Sequence, residues 1–245
     1  MATIASPAAR VKSERIFYSA MGLAIAATTF WGFSASFYLS RWLVAPPTTP
    51  PWTPLLYLHG GIFTAWMLLM VVQPLLIGRR NLGLHRKLGY AGAGVAAAMF
   101  VVGNVTAIAA MHGGFRGLGD PMVFYAVPFF AINSFAVTVT LAVIWRNRAE
   151  AHKRLMLLAN VGIIGAAIAR VPLDAVQAGA PFTFIFLPNL ITAAGMFYDW
   201  RTRGRVHRVW LWGGLAMLAS QLIMMAVMGT RAWHGFAEAM GGLWA

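Results

Sequence analysis

LYLHGGIFTAWMLLMVVQPLLIGRRNLGLHRKLG, residues 56–89, is the stretch from which the rest of the chain can be read. It opens as an apolar run and closes in a basic turn that starts a second apolar run. Within the first run His59, Trp66 and Gln73 recur every seven residues. Seven steps of ~100° return to within about 20° of the starting direction, so the three share one helix face. At ~1.5 Å per residue, His59 and Gln73 stand roughly 21 Å apart along the axis. A bilayer's hydrocarbon core is about 30 Å thick. The stretch predicts a membrane-crossing helix with one polar and aromatic stripe.

Composition extends that reading to the whole chain. Of 245 residues, 60% are hydrophobic and 10% charged, against about 25% charged in soluble domains. Apolar runs predict seven spans, at 17–40, 54–78, 88–111, 122–145, 155–172, 182–198 and 209–229. The expected fold is an all-α bundle of seven transmembrane helices. Residues 1–16 form an inner segment, 17–230 a single membrane domain and 231–245 an outer tail. The polar, basic opening MATIASPAARVKSERIF has no small-residue cleavage site after it, so no cleaved signal is expected. With the N-terminus inside, fifteen of the nineteen Lys and Arg residues fall on the inner side, around 10–15, 79–87, 146–154 and 201–208. Arg41, Arg116, Arg170 and Arg231 fall outside. This asymmetry is the positive-inside pattern, so the net charge of +13 reads as a topology signal and nucleic acid is not an expected partner.

The outer connections are turn-like. APPTTPPWTP (45–54) cannot be helical, because proline lacks an N–H and fixes φ. HGGFRGLGDP (112–121) is glycine-rich. Trp31, Trp42, Trp52, Trp145, Trp200, Trp210, Trp212 and Trp233 fall near span ends, as an aromatic belt would. His85-Arg86-Lys87-Leu88 is echoed by His152-Lys153-Arg154-Leu155. Pro121 and Pro128 are echoed by Pro181 and Pro188. The echo is either a duplicated hairpin or coincidence. Pro128 and Pro188 are expected to kink their helices.

Several chemistries are excluded. No cysteine is present, which removes disulfides, thiolate metal sites and iron–sulfur clusters. None of the six acidic residues falls at mid-membrane, as an ion-coupled carrier would need. No lysine lies in the seventh span, so a retinal Schiff base is unavailable. Phosphate-loop, zinc-protease and serine-elbow motifs are missing.

His59 is the one histidine inside a span. It reads either as a ligand, to haem b or copper, or as a core histidine bonded to a neighbouring helix. For copper, Met224, Met225 or Met228 would be the second donor, with His112 and His234 near the same surface. Paired-histidine dihaem architecture is excluded, since no helix carries two suitably spaced histidines. Gln73 reads as helix glue or as a holder of a polar head such as a quinone carbonyl. Asn104, Asn133, Asn160 and Asn189 read the same way. His85, His152 and His207, each beside arginine at a helix start, read as an anion site or as headgroup anchors. Arg170 and Asp174, four apart, suggest an i,i+4 pair. The candidate cofactor-binding residues are therefore His59, Trp66, Gln73, His85, Arg86, His152 and Arg154. The candidate metal ligands are His59, Met224 and Met228.

His59…Trp66…Gln73, LHRKLG (84–89) and AHKRLMLLA (151–159) followed by Arg170 resemble an uncharacterised family of bacterial polytopic inner-membrane proteins. The match covers roughly 55–170. The resemblance implies a multi-helix bundle in the bacterial inner membrane and implies no reaction. Three functions stay open: a redox or metal-linked membrane protein using His59, a structural or assembly subunit with partner membrane subunits, and a carrier or sensor of a small apolar ligand.

Overall fold

The structure, a computed structural model, describes residues 7–46, 49–113 and 119–243, with side chains from residue 11 on. Arg116 and the middle of the 112–121 connection lie outside them. Among the described residues every regular element is helical. In order these are α1 (Pro7–Gly32), a π-helical segment (Ser34–Tyr38), α2 (Pro54–Gly78), α3 (Leu82–Gly113), α4 (Pro121–Ile144) and α5 (Ala149–Ile163). Then follow α6 (Gly165–Ile168), α7 (Asp174–Ala178), α8 (Phe182–Phe186), a 3-10 turn (Leu187–Asn189), α9 (Leu190–Arg203), α10 (Arg208–Val227) and α11 (Arg231–Gly242).

Five segments are long and apolar enough to cross a membrane: α2, α3, α4, the α8–α9 unit over Phe182–Arg203, and α10. That is the helix complement of a multi-pass membrane protein. The other two expected spans take a different form. α1 starts ten residues before its expected beginning, is 26 residues long and stops at Gly32, where a π-helical turn takes over. It is less apolar than the five. The fifth expected span, 155–172, is broken after Ile163 and resumes as the single turn α6.

The physical reason for a short α5 is its position. It packs against α4, α10, α9 and α1, and Leu157, Leu158, Ala159, Asn160 and Val161 are all buried. Five consecutive positions at ~100° face every direction, so α5 is surrounded by protein, as a helix buried all round must be. Neighbouring helices pack in sequence around it, α1 on α2, α2 on α3, α3 on α4 and α4 on α5. On α1, glycine permits the closest approaches. An added Cβ at Gly22 would lie 2.5 Å from the Met70 carbonyl oxygen, and one at Gly32 would run into the carbonyl of Ala167.

Helix starts follow local chemistry. Thr53 caps α2 by accepting from Leu56 N at 3.3 Å, ahead of Pro54. Asp120 caps α4 by accepting from Met122 N at 2.8 Å, ahead of Pro121. Proline suits this first position because its missing N–H would have no partner there. α9 ends at Gly204, whose φ of 70° is the left-handed cap conformation. Pro128 sits inside an unbroken α4, whereas Pro188 lies in the 3-10 turn that breaks α8 from α9. The two echoed segments thus fold differently. The expected outer tail contains a helix, α11, that packs on α4 and α3. Two belt tryptophans are corrected as well, since Trp210 and Trp233 are buried in the core.

Candidate functional site

The polar side chains gather in two places. The first is the basic end, where α1, α5 and α9 meet. Arg154 and Asp199 are both fully buried there. Arg154 Nε donates to Asp199 Oδ2 at 2.9 Å, and Nη2 donates to Oδ1 at 2.5 Å. This is the parallel fork that makes arginine–carboxylate pairs strong. The remaining terminal nitrogen, Nη1, donates to Glu150 at both its carbonyl (2.6 Å) and Oε2 (2.8 Å). Lys153 joins Glu14 at 2.7 Å and Glu150 at 2.8 Å. Arg203 joins Glu14, Glu150 at 2.6 Å and Asp199 at 3.6 Å. Three carboxylates and three cations therefore balance. Partial burial pushes the Glu150 carboxyl up, but hydrogen bonds from Lys153 and Arg154 outweigh it and hold the group down at about 2. Tyr198 extends the contact by donating to Ser13 Oγ at 3.0 Å and stacking on Phe17 at 4.1 Å.

The three histidines at this end are each engaged by the fold. Gln73, with its amide nitrogen turned to the ring, donates to His85 Nδ1 at 2.5 Å and accepts from Gly89 N at 3.1 Å. Gln73 is thus glue between α2 and α3. His152 Nδ1 donates to the Ala142 carbonyl at 2.8 Å and ties α5 to α4. His207 caps α10, its Nδ1 accepting from Val209 N at 3.2 Å. Burial and the nearby Arg154 charge hold that ring below its ordinary value of 6.5, so it is neutral at pH 7. Arg86 is exposed, away from the network that holds Arg154.

The second place is the stripe on α2. Trp66 is 2% exposed and donates from Nε1 to Asn160 Oδ1 at 3.1 Å. Asn160 in turn donates to the Met156 carbonyl at 2.8 Å. Trp66 also meets Phe135 edge-on at 4.9 Å. The stripe therefore faces protein at Trp66 and Gln73. His59 is half-buried, stacked on Phe63 at 4.1 Å. Its Nδ1 is buried and has no hydrogen-bond partner among the described residues.

The structure does not assemble the expected metal set. Met224 and Met228 belong to an apolar cluster with Trp233 and Tyr125. Met224 rides on α10 and Met228 directly follows it; α10 packs on α4, α5, α8 and α9, while α2 packs on α1 and α3. Arg170 does not pair with Asp174 as an i,i+4 helix pair, because α6 ends before it. It donates to the Ala166 carbonyl at 2.7 Å and lies over the Phe33 ring at 4.8 Å. No group of three or more His, Asp or Glu residues is poised for a metal among the described residues.

Sequence reasoning missed Glu14, Glu150 and Asp199 as a unit. A signal was available: with only six acids in a chain of net charge +13, an acid among apolar residues, such as Asp199, demands a cation. Compared with protein-family models, with characterised proteins and with solved structures, the chain matches none.

Proposed function

We propose that the chain is a bacterial inner-membrane protein that crosses the bilayer seven times, N-terminus in the cytoplasm, and holds a redox cofactor through His59. One observation carries the cofactor reading. Five of the six imidazoles have a hydrogen bond at Nδ1, and His59 Nδ1 is buried without one. A buried polar atom without a partner costs about 1–3 kcal/mol, and a ligand would remove that cost. Arg170, over the Phe33 ring where α1 ends, is a cation that a cofactor with anionic arms would attract and a bare metal cation would not. Haem b meets both demands, with an iron for the imidazole and carboxylates for the guanidinium. Copper at His59 loses support, since Met224 and Met228 pack elsewhere.

Length supports the additional crossings. The 26 residues of α1 reach roughly 39 Å, and Ala149 to Ile168 reaches roughly 30 Å. The basic-residue asymmetry supports the orientation, and the resemblance of residues 55–170 supports the membrane. A reporter fused after Ala149 is expected to read cytoplasm and one after Gly117 periplasm; the same side for both would refute the seven-span count.

Absorption spectroscopy of purified protein tests the cofactor. A Soret band is expected, lost in His59→Ala and retained in His85→Ala and His152→Ala. A colourless protein from haem-replete cells would sink the reading. It would favour a structural subunit instead, which the internally neutral basic end also suits, and which co-purification in mild detergent would reveal. A carrier of a small apolar ligand would be colourless and free of partners.

A further inference from the structure

We propose a soft-metal site, selective for Cu(I), where α3, α4 and α11 meet at the end of the bundle away from the ionic network. It uses none of the residues assigned to the His59 site and stands independently of that reading.

A cavity of about 500 Å³ elsewhere on the molecule is an open groove along α1, bordered by Lys12, Arg15, Ile16, Ser19 and Leu23. The cavity between α3, α4 and α11 differs in kind. It measures about 240 Å³ and is bordered by Met111, His112, Met122, Glu238 and Gly241. His112 Nδ1 lies 3.2 Å from the Ile108 carbonyl oxygen. A carbonyl only accepts, so Nδ1 carries the proton and the neutral ring keeps its lone pair on Nε2. Metal-binding histidines are commonly oriented in this way, with the second nitrogen donating to a backbone carbonyl.

Two of these side chains converge. A Cβ placed on Gly241 would lie 3.2 Å from Met111 Cε, 3.3 Å from His112 Cε1 and 3.7 Å from His112 Nε2. Met111 and His112 thus reach the same spot, which stays open because residue 241 has no side chain. Met122 enters from the other wall on a fixed backbone. Its N–H donates to Asp120 Oδ1 at 2.8 Å, and its carbonyl accepts from Trp233 Nε1 at 2.8 Å.

The chemistry of the set is one imidazole, two thioethers and a carboxylate at the rim. Thioethers are soft donors that favour Cu(I), whereas zinc and harder cations favour imidazole, thiolate and carboxylate sets. Methionine is also routine packing material, and Met111 and Met122 do pack in the cluster of Trp233 and Tyr125, but unlike Met224 and Met228 both also border a cavity beside an imidazole of fixed tautomer.

Cu(I) titration of the purified full-length protein against a competing chelator tests the site, with Ag(I) as a redox-inert probe. One Cu(I) per chain is expected. Met111→Leu and His112→Gln should each weaken binding by about 100-fold or more, beyond the 10–100-fold typical of losing an outer-shell partner. Gly241→Ala should do the same by filling the space. Methionine-to-leucine changes conserve volume, so an unchanged melting temperature will show that these variants fold. His59→Ala should leave Cu(I) binding intact. The proposal is overturned by any of three results: no Cu(I) bound, binding unchanged in Met111→Leu, Met122→Leu and His112→Gln, or Zn(II) bound as tightly as Cu(I).

Discussion

At the basic end Arg154 and Asp199 are fully buried and fully partnered, and Lys153, Arg203, Glu14 and Glu150 complete a neutral set around them. Toward the other end of α2, His59 is only half-buried, yet its Nδ1 has no partner. Charge density and functional promise therefore point in opposite directions. Where the charges cancel in this way, the polar residues act as architecture, although Arg203 Nε and Tyr18 Oη are buried there without a hydrogen bond. Where one imidazole nitrogen is left over, the fold has a bond to offer a ligand.

The comparison breaks most easily at Asp199. Asp199→Leu leaves Arg154 buried with half its partners, and removing one member of a buried pair costs about 3–5 kcal/mol. The double variant Arg154→Met/Asp199→Leu should recover most of that loss, because apolar replacements of buried pairs are often neutral. Melting in detergent measures both. A loss below about 1 kcal/mol in the single variant would mean that the pair behaves like an exposed one.

A smaller effect separates Trp66 from His59 on the same helix face. Trp66→Phe strips Asn160 Oδ1 of its buried donor, at a cost of about 1–3 kcal/mol. His59→Phe removes no intramolecular hydrogen bond at Nδ1 and should change apo stability by less than about 0.5 kcal/mol. Equal losses would make His59 another structural residue.

The smallest effect is in pH. His234 is partly exposed, donating toward the Thr230 carbonyl at 3.0 Å and Asp120 at 3.2 Å. These bonds raise its pKa above the ordinary 6.5. A raised pKa contributes stability fully below 6.5 and loses it as pH climbs through the folded value. Glu150 behaves oppositely: held at about 2, it contributes above its ordinary 4.5 and fails only as pH falls through about 2. Melting between pH 5 and pH 9 should therefore drift slightly with His234, and His234→Gln should flatten the drift. A drift that survives this substitution would place the titrating group elsewhere.

Much of this was legible in the residues. The seven-residue recurrence of His59, Trp66 and Gln73 located a helix face that does turn to protein at Trp66 and Gln73. Continuous apolarity located α2, α3, α4 and α10. It did not show the break after Ile163, because a helix wrapped by other helices needs no continuous span-length apolar run. Spacing also failed for the Arg154–Asp199 pair, whose members lie 45 residues apart; only tertiary packing brings them together. His112 was visible merely as a residue near the outer surface. Its bond to Ile108 and the space left by Gly241 depend on α11, which read as a tail.

The bond between Arg203 and Glu14 spans 189 residues. At about 5–20 residues per second, a ribosome needs roughly 10–40 s to make that much chain. For that interval Glu14 has left the ribosome without Arg203, and for the latter part Arg154 waits for Asp199. A nascent chain arrested before residue 199 carries an arginine whose buried partner does not yet exist. Such a fragment already pairs Arg154 with Glu150 and Lys153 with Glu14, and it gains the two-bond fork only when α9 brings Asp199.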